Sequence, residues 1–170
     1  MNFTKFILSF FLISSIISCT SNQKNEDKKT DNSIPITDFD GVRPLLSLYN
    51  DTTYVVNFWA TWCAPCIKEL PYLEKLGKTY ADKKVKVILI NLDFPNHYES
   101  RLLPFVEQNK LESRIVMLDD PDANSWINEV DPSWTGSIPA TLIYNRKNRV
   151  FLEKELTYAE LETALNSVIN

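Results

Sequence analysis

Residues 53–71 read TYVVNFWATWCAPCIKELP, and the joint in the middle of this stretch limits the chain more than any other feature. Thr53 to Trp59 is β-branched and aromatic apart from Asn57, the composition of a strand buried on both faces. From Ala64 to Tyr80 the period changes. Ile67, Leu70, Leu73, Leu76 and Tyr80 recur at three- and four-residue spacing, which predicts a helix, with Pro71 expected to kink it. Cys63 and Cys66 fall where strand gives way to helix. A buried strand turning directly into an amphipathic helix is the start of an α/β unit.

The remaining segments extend that pattern. Asp38 to Tyr49 is expected to open with a short helix, although Gly41 and Pro44 interrupt it. Lys84 to Leu92 and Arg114 to Leu118 read as strands, and His97 to Asn109 as a helix broken by Pro104. After a DDPD turn comes a short helix from Ala123 to Glu129. Ala140 to Tyr144 and Val150 to Glu153 form a hairpin across NRKN, and Thr157 to Ile169 closes the chain as a helix with a Thr157–Glu160 capping box. Parallel strands first and an antiparallel hairpin last predict an α/β fold with a central mixed β-sheet and helices on both faces.

The cysteine pair has three chemical readings: metal ligands, a structural disulfide, or a redox couple. A zinc site wants four ligands, and this chain has one histidine, His97, and no second cysteine pair. A structural framework would use more cysteines. Two cysteines a helical turn apart meet the Cα separation of roughly 4.4–6.8 Å that a disulfide needs. Cys63 should stand at the helix N-terminus, where free N–H groups and the dipole favour a thiolate. Cys66, one turn inside, should be more buried and act second. Pro65 costs little in the first turn and stiffens the link between the sulfurs. The acids at Asp119, Asp120 and Asp122 lack a calcium-loop pattern and read as a turn.

Composition narrows the partners. With 18 basic and 22 acidic side chains the formal net charge is -4, so no basic excess attracts nucleic acid. Residues 1–18, MNFTKFILSFFLISSIIS, have a lysine-bearing start, an apolar stretch too short to span a bilayer and no acid, the layout of a secretory leader. Ile16-Ile17-Ser18-Cys19 resembles the lipobox of bacterial lipoproteins, which implies cleavage before Cys19 and a lipid on its sulfur. Residues 19–33 are then the lipidated cysteine and a polar, flexible tether, and residues 34–170 one folded domain. In such an extracytoplasmic compartment a lone close pair of thiols is better explained by catalysis than by structure.

Trp59-Ala60-Thr61-Trp62-Cys63-Ala64-Pro65-Cys66 resembles the active-site motif of the thioredoxin superfamily, and among its branches the TlpA/ResA-like membrane-anchored thiol–disulfide oxidoreductases. Pro71 and Thr135-Gly136-Ser137-Ile138-Pro139-Ala140-Thr141, with its counterpart of the family's cis-proline loop, extend the likeness over residues 38–170. The resemblance implies a thioredoxin-like fold and a redox-active Cys63–Cys66 disulfide with no other cofactor and no metal. It also implies a substrate surface made by Trp62, Ala64, Pro65, Ile138 and Pro139. Where cytoplasmic thioredoxins carry a buried Asp, this chain has Asn57, which cannot take the proton of Cys66. Asp93, at the C-terminal end of a strand, is the candidate proton acceptor and Glu99 the second, with a solvated turn as the plain alternative for Asp93. Trp59 and Trp126 are expected in the core, Trp62 exposed beside Cys63, and Trp134 close to a substrate groove.

The expected activity is reduction of disulfides in envelope proteins by a lipid-anchored monomer facing the periplasm or exterior, itself re-reduced by a membrane thiol donor. Cytochrome c biogenesis is one family-level role. The rival readings are an envelope disulfide oxidase or isomerase with the same residues, and a lipoprotein that holds a metal or an apocytochrome through its thiols.

Overall fold

The computed structural model describes residues 33–170; the expected leader, Cys19 and the tether up to residue 32 lie outside them. The described chain runs β1 (Ile36–Thr37), α1 (Phe39–Val42) with a 3₁₀ turn at Arg43–Leu46, β2 (Thr53–Trp59), α2 (Ala64–Thr79) and β3 (Val85–Asn91). It continues with α3 (Leu103–Gln108), β4 (Arg114–Leu118), α4 (Ala123–Val130), the hairpin β5 (Ala140–Tyr144) and β6 (Arg149–Leu152), and α5 (Tyr158–Ile169). The strands form one sheet in the order β1-β4-β3-β2-β5-β6. Strands β1 to β4 pair in parallel, while β5 is antiparallel to both β2 and β6. The mixed sheet therefore has the character that the segment order predicts.

Every residue of β2 is buried, because apolar layers cover both faces of the sheet. Val55 and Trp59 point into one layer with Leu70, Leu73 and Leu76 of α2 and Leu161 and Leu165 of α5. Tyr54, Val56 and Phe58 point into the other with Phe39 of α1 and Trp126 and Val130 of α4. The alternation is the period of two that a strand imposes on its side chains. In that second layer Trp134 packs on Phe58 with ring centroids 4.7 Å apart and on Trp126 at 5.7 Å.

Local departures from the sequence expectations have local causes. The expected helix from His97 to Asn109 is composite: a 3₁₀ turn at Pro95–His97, a π-helical turn at Tyr98–Leu102, then α3. Pro104 lacks an N–H and its ring collides with the preceding turn, so regular helix begins only around it, with Pro104 in the tolerated first turn. β1 has only Ile36 and Thr37, too short to leave a pattern, and exists through pairing with Met117 and Leu118. The last strand ends at Leu152, so Glu153 lies beyond it. DDPD is a structural turn, where Asp120 accepts hydrogen bonds from the Phe39 N–H at 3.2 Å and the Asp122 N–H at 3.0 Å. α5 carries the expected capping box between Thr157 and Glu160.

Leu73 sits fully buried at the α2–sheet interface. Leu73→Ala should lower the unfolding free energy by about 2–5 kcal/mol, read as a lower urea midpoint at unchanged slope. Lys68→Ala, on the exposed side of the same helix, should shift it by less than about 0.5 kcal/mol.

Candidate functional site

The site forms where β2 ends and α2 begins. Trp59 closes the strand, and the Cys63 N–H donates to the Ala60 carbonyl at 3.1 Å, so the loop makes one tight turn before the helix. Cys63 is the N-cap of α2: its carbonyl accepts the Ile67 N–H at 3.0 Å, and its sulfur accepts the Cys66 N–H at 3.3 Å. A sulfur in the N-cap position takes the place of the usual Ser or Asp oxygen, facing a free N–H at the positive end of the helix. Pro65 falls in the first turn, where no N–H is needed. Cys63 and Cys66 are joined as a disulfide, with Cα atoms 5.3 Å apart. Cys63 retains 5% exposure and Cys66 none, so an incoming group reaches Cys63 first.

A second segment faces the disulfide from β5. The Ile138–Pro139 peptide is cis, and the Ile138 carbonyl oxygen lies 3.7 Å from Cys63 Sγ. Trp62 is 56% exposed beside Cys63, and Ala64 is exposed as well. Cys63, Cys66, Trp62, Ala64, Pro65, Ile138 and Pro139 thus come from both sides of the β2–β5 pair, although some 75 residues separate the segments in the chain. Trp134 does not line a groove. It is buried in the core, and its indole N–H donates to the Ser137 carbonyl at 2.8 Å.

Asp93 is neither a solvated turn residue nor a partner of either cysteine among the hydrogen bonds it makes. It is 2% exposed, and its Oδ1 accepts the Thr61 N–H at 3.0 Å. Its own N–H donates to Asn91 Oδ1 at 3.1 Å. This carboxylate therefore ties the loop before Cys63 to the end of β3. Glu99 is exposed on the π-helical turn.

The acid that sequence reasoning missed is Glu69. It is fully buried on α2, three residues beyond Cys66 and on the same helical face. Asn57 Nδ2 donates to its Oε1 at 2.7 Å, and the Leu156 N–H donates to its Oε2 at 2.9 Å. Asn57 also donates to Thr141 Oγ1 at 3.0 Å, which links β2, β5 and α2 through one amide. Burial pushes the Glu69 pKa up to about 7, against the opposing pull of the Leu156 N–H and the Asn57 amide. The signal was present in the sequence. The buried stripe of α2 is Cys66, Glu69, Leu70, Leu73 and Leu76, whereas Ile67 is only half-buried. An acid inside an apolar stripe, one turn from a disulfide cysteine, marks a carboxyl held in low dielectric.

Among the described residues no group of three or more His, Cys, Asp and Glu side chains converges as a metal site would, and no helix is long and apolar enough to cross a membrane.

Comparison with known proteins agrees with this geometry. The thiol–disulfide oxidoreductase ResA of Bacillus thuringiensis is 35% identical over 74 residues, 44% of this chain and 43% of that protein. The thioredoxin-like protein YneN of Bacillus subtilis is 36% identical over 93 residues, 55% of this chain and 50% of that protein. The chain thus spans about half the length of these curated relatives, or less. A longer match, 27% identical over 135 residues, covers 78% of this chain and 72% of the ResA of Geobacillus kaustophilus. Among solved structures, a DsbF homologue from Corynebacterium diphtheriae superposes with a TM-score of 0.57 at 24% identity, covering 71% of this chain and 74% of that one. StoA from Bacillus subtilis superposes at 0.53 with 23% identity, covering 68% of this chain and 84% of that one, and at these identities the likeness is one of fold. Residues 26–151 match the AhpC/TSA family. That match spans most of the chain and takes in both the thiol pair and the Ile138–Pro139 loop, so this protein belongs to the AhpC/TSA family and carries its thioredoxin-like fold.

Proposed function

We propose that this protein is a thiol–disulfide oxidoreductase that works as a reductant of disulfides in extracytoplasmic proteins. The observation that carries the reading is the Cys63 sulfur at the N-terminus of α2, in reach of the Cys66 N–H and at the mouth of the site. Reduced Cys63 is stabilised there as a thiolate and attacks one sulfur of a substrate disulfide. A Cys63–substrate disulfide forms, and the other substrate sulfur leaves as a thiolate that takes a proton from water. Cys66 then loses its proton to Glu69 and attacks Cys63 Sγ. The second substrate sulfur leaves, the Cys63–Cys66 disulfide closes, and the substrate has gained two electrons. A dithiol donor must return two electrons by the reverse exchange.

Glu69 suits the proton step because a carboxyl with a pKa near 7 is ionised in about half the molecules at neutral pH. Asp93 serves the same reaction through the backbone, holding the loop that presents Cys63. Direction is inferred from sequence: no histidine lies between the cysteines, and Ile138 precedes Pro139 as in reducing relatives of this fold. The location is inferred from the leader-like residues 1–18 and the lipobox-like residues 16–19, with Cys19 as the lipid anchor.

Reduced protein should accelerate insulin reduction, Cys63→Ser should abolish it, and Cys66→Ser should accumulate a mixed disulfide visible on non-reducing gels. A wild-type protein inert towards insulin and towards small disulfides would refute the reading. Cys19→Ser should move the protein from the membrane fraction to the soluble envelope fraction.

The Glu69 shift makes a pH prediction of definite sign. Its folded pKa lies above that of the unfolded chain, so its contribution to stability is present in acid and is lost as pH rises through about 7. Glu69→Gln should lose the fall in stability that wild type shows up to about pH 7; because its amide N–H₂ faces the Asn57 or Leu156 donor, it should be less stable than wild type near pH 4, by about 1–3 kcal/mol, with the gap smaller at pH 8. The same variant should slow release of the mixed disulfide by about 10²-fold and remove the rise of that rate through pH 7. Stopped-flow release from a Cys63-linked peptide measures it.

A further inference from the structure

The turn that leads into Ile138 has no apolar anchor of its own, since Thr135, Gly136 and Ser137 are all exposed. It is held instead by a carboxylate just past the end of β6. Glu153 accepts the Thr135 N–H at 3.0 Å through Oε2, and the Ser137 N–H at 2.9 Å and the Thr135 hydroxyl through Oε1. Gly136, between the donors, has φ +94°, and a Cβ there would meet Ile127 Cδ1 at 3.0 Å. This left-handed turn lets the N–H groups on either side of Gly136 converge on one anion, the arrangement of a backbone nest. From the other side the Trp134 indole donates to the Ser137 carbonyl at 2.8 Å. The next residue is Ile138, whose carbonyl lies 3.7 Å from Cys63 Sγ. Burial raises the Glu153 pKa, but the hydrogen bonds from Thr135 and Ser137 outweigh it and hold the group below the usual carboxylate range.

We propose that Glu153 is a positioning residue for extended polypeptide substrates: by clasping the 135–137 turn it sets the Ile138 backbone edge at the distance from Cys63 where a cysteine-bearing strand can pair with it. This deepens the oxidoreductase reading and rests on it. Backbone pairing of an extended peptide aligns its sulfur with the attacking thiolate and adds affinity through main-chain hydrogen bonds. A small disulfide has no strand to pair. The clasp therefore acts on discrimination between peptide and small disulfides, through KM more than through kcat.

The test compares wild type and Glu153→Gln on an extended peptide with a disulfide-linked cysteine and on glutathione disulfide. Glutamine keeps the size but puts an amide N–H₂ against a backbone donor. The expected result is a fall of about tenfold in the ratio of kcat/KM for peptide over glutathione disulfide, carried by the peptide KM. Glu153→Asp, which keeps the charge on a shorter arm, should recover part of it. If Glu153→Gln does not melt cooperatively, Thr135→Val removes only the hydroxyl donor and should lower the same ratio about threefold. An unchanged ratio, or an equal loss on both substrates, overturns the proposal and leaves the oxidoreductase reading standing. A wild-type protein inactive on both substrates refutes that reading and the proposal together.

Discussion

The site depends on one contact, the sulfur of Cys63 against the N–H of Cys66 at the head of α2. In the proposed reaction it is an N-cap whose capping atom is also the nucleophile. Most caps stabilise a helix by satisfying a donor that would otherwise be unpaired. Here the same donor, with the aligned peptides behind it, lowers the energy of an anion that must later leave to attack another sulfur. That demands a helix that does not shift when the charge does. α2 meets the demand through Leu70, Leu73 and Leu76, buried against a β2 strand that has no exposed face. A helix packed on an edge strand would give the sulfur a less fixed field.

The strand-to-helix joint was legible because it rests on local patterns. β2 runs from Thr53 to Trp59 as its composition predicts, and α2 starts at Ala64, directly after the cap. The pairing of β5 with β2 was less visible, since its register joins residues over 80 positions apart, Asn57 to Thr141 among them. Periodicity carries no such long-range link; the likeness of the Ile138–Pro139 loop to a family motif does. Period failed around residues 95–108, because Pro95 and Pro104 divide an apolar pattern into 3₁₀, π and α turns. Pro104 announces a break in the sequence, but spacing does not tell which turns become 3₁₀, π or α.

The buried acid shows a different limit. At position 57 the carboxylate of cytoplasmic thioredoxins is replaced by an amide, and placement at a strand end points to Asp93 as the acid. The structure answers from the helix instead. Asn57 donates its amide to Glu69, so strand and helix share one buried polar unit, with the carboxyl on α2 and the amide on β2. Glu69 occupies an apolar face where a hydrophobic residue would pack as well, and its upward pKa shift marks what that burial costs the charged form. The period of the apolar residues alone puts Ile67 on the buried face, whereas the buried position is that of the acid two residues on. Asp93, the candidate by its strand-end position, is buried too: its Oδ1 takes the Thr61 N–H, and its Oδ2 is buried without a hydrogen-bond partner among the described residues.

In the proposed reaction two carboxylates thus serve one disulfide from opposite electrostatic conditions. Glu69 is enclosed, and its pKa stands near neutrality; Glu153 is half-exposed, surrounded by donors, and its pKa stands low. A group that must take and return a proton needs the first condition, because its two forms must be close in energy at working pH. A group that must hold a backbone turn needs the second, because a protonated carboxyl would place a donor against the Thr135 and Ser137 N–H groups. Exchanging the two environments would disable both, leaving Cys66 with an acid too weak a base to take its proton and the Ile138 edge without a fixed support. Environment, more than the identity of the acid, divides the roles.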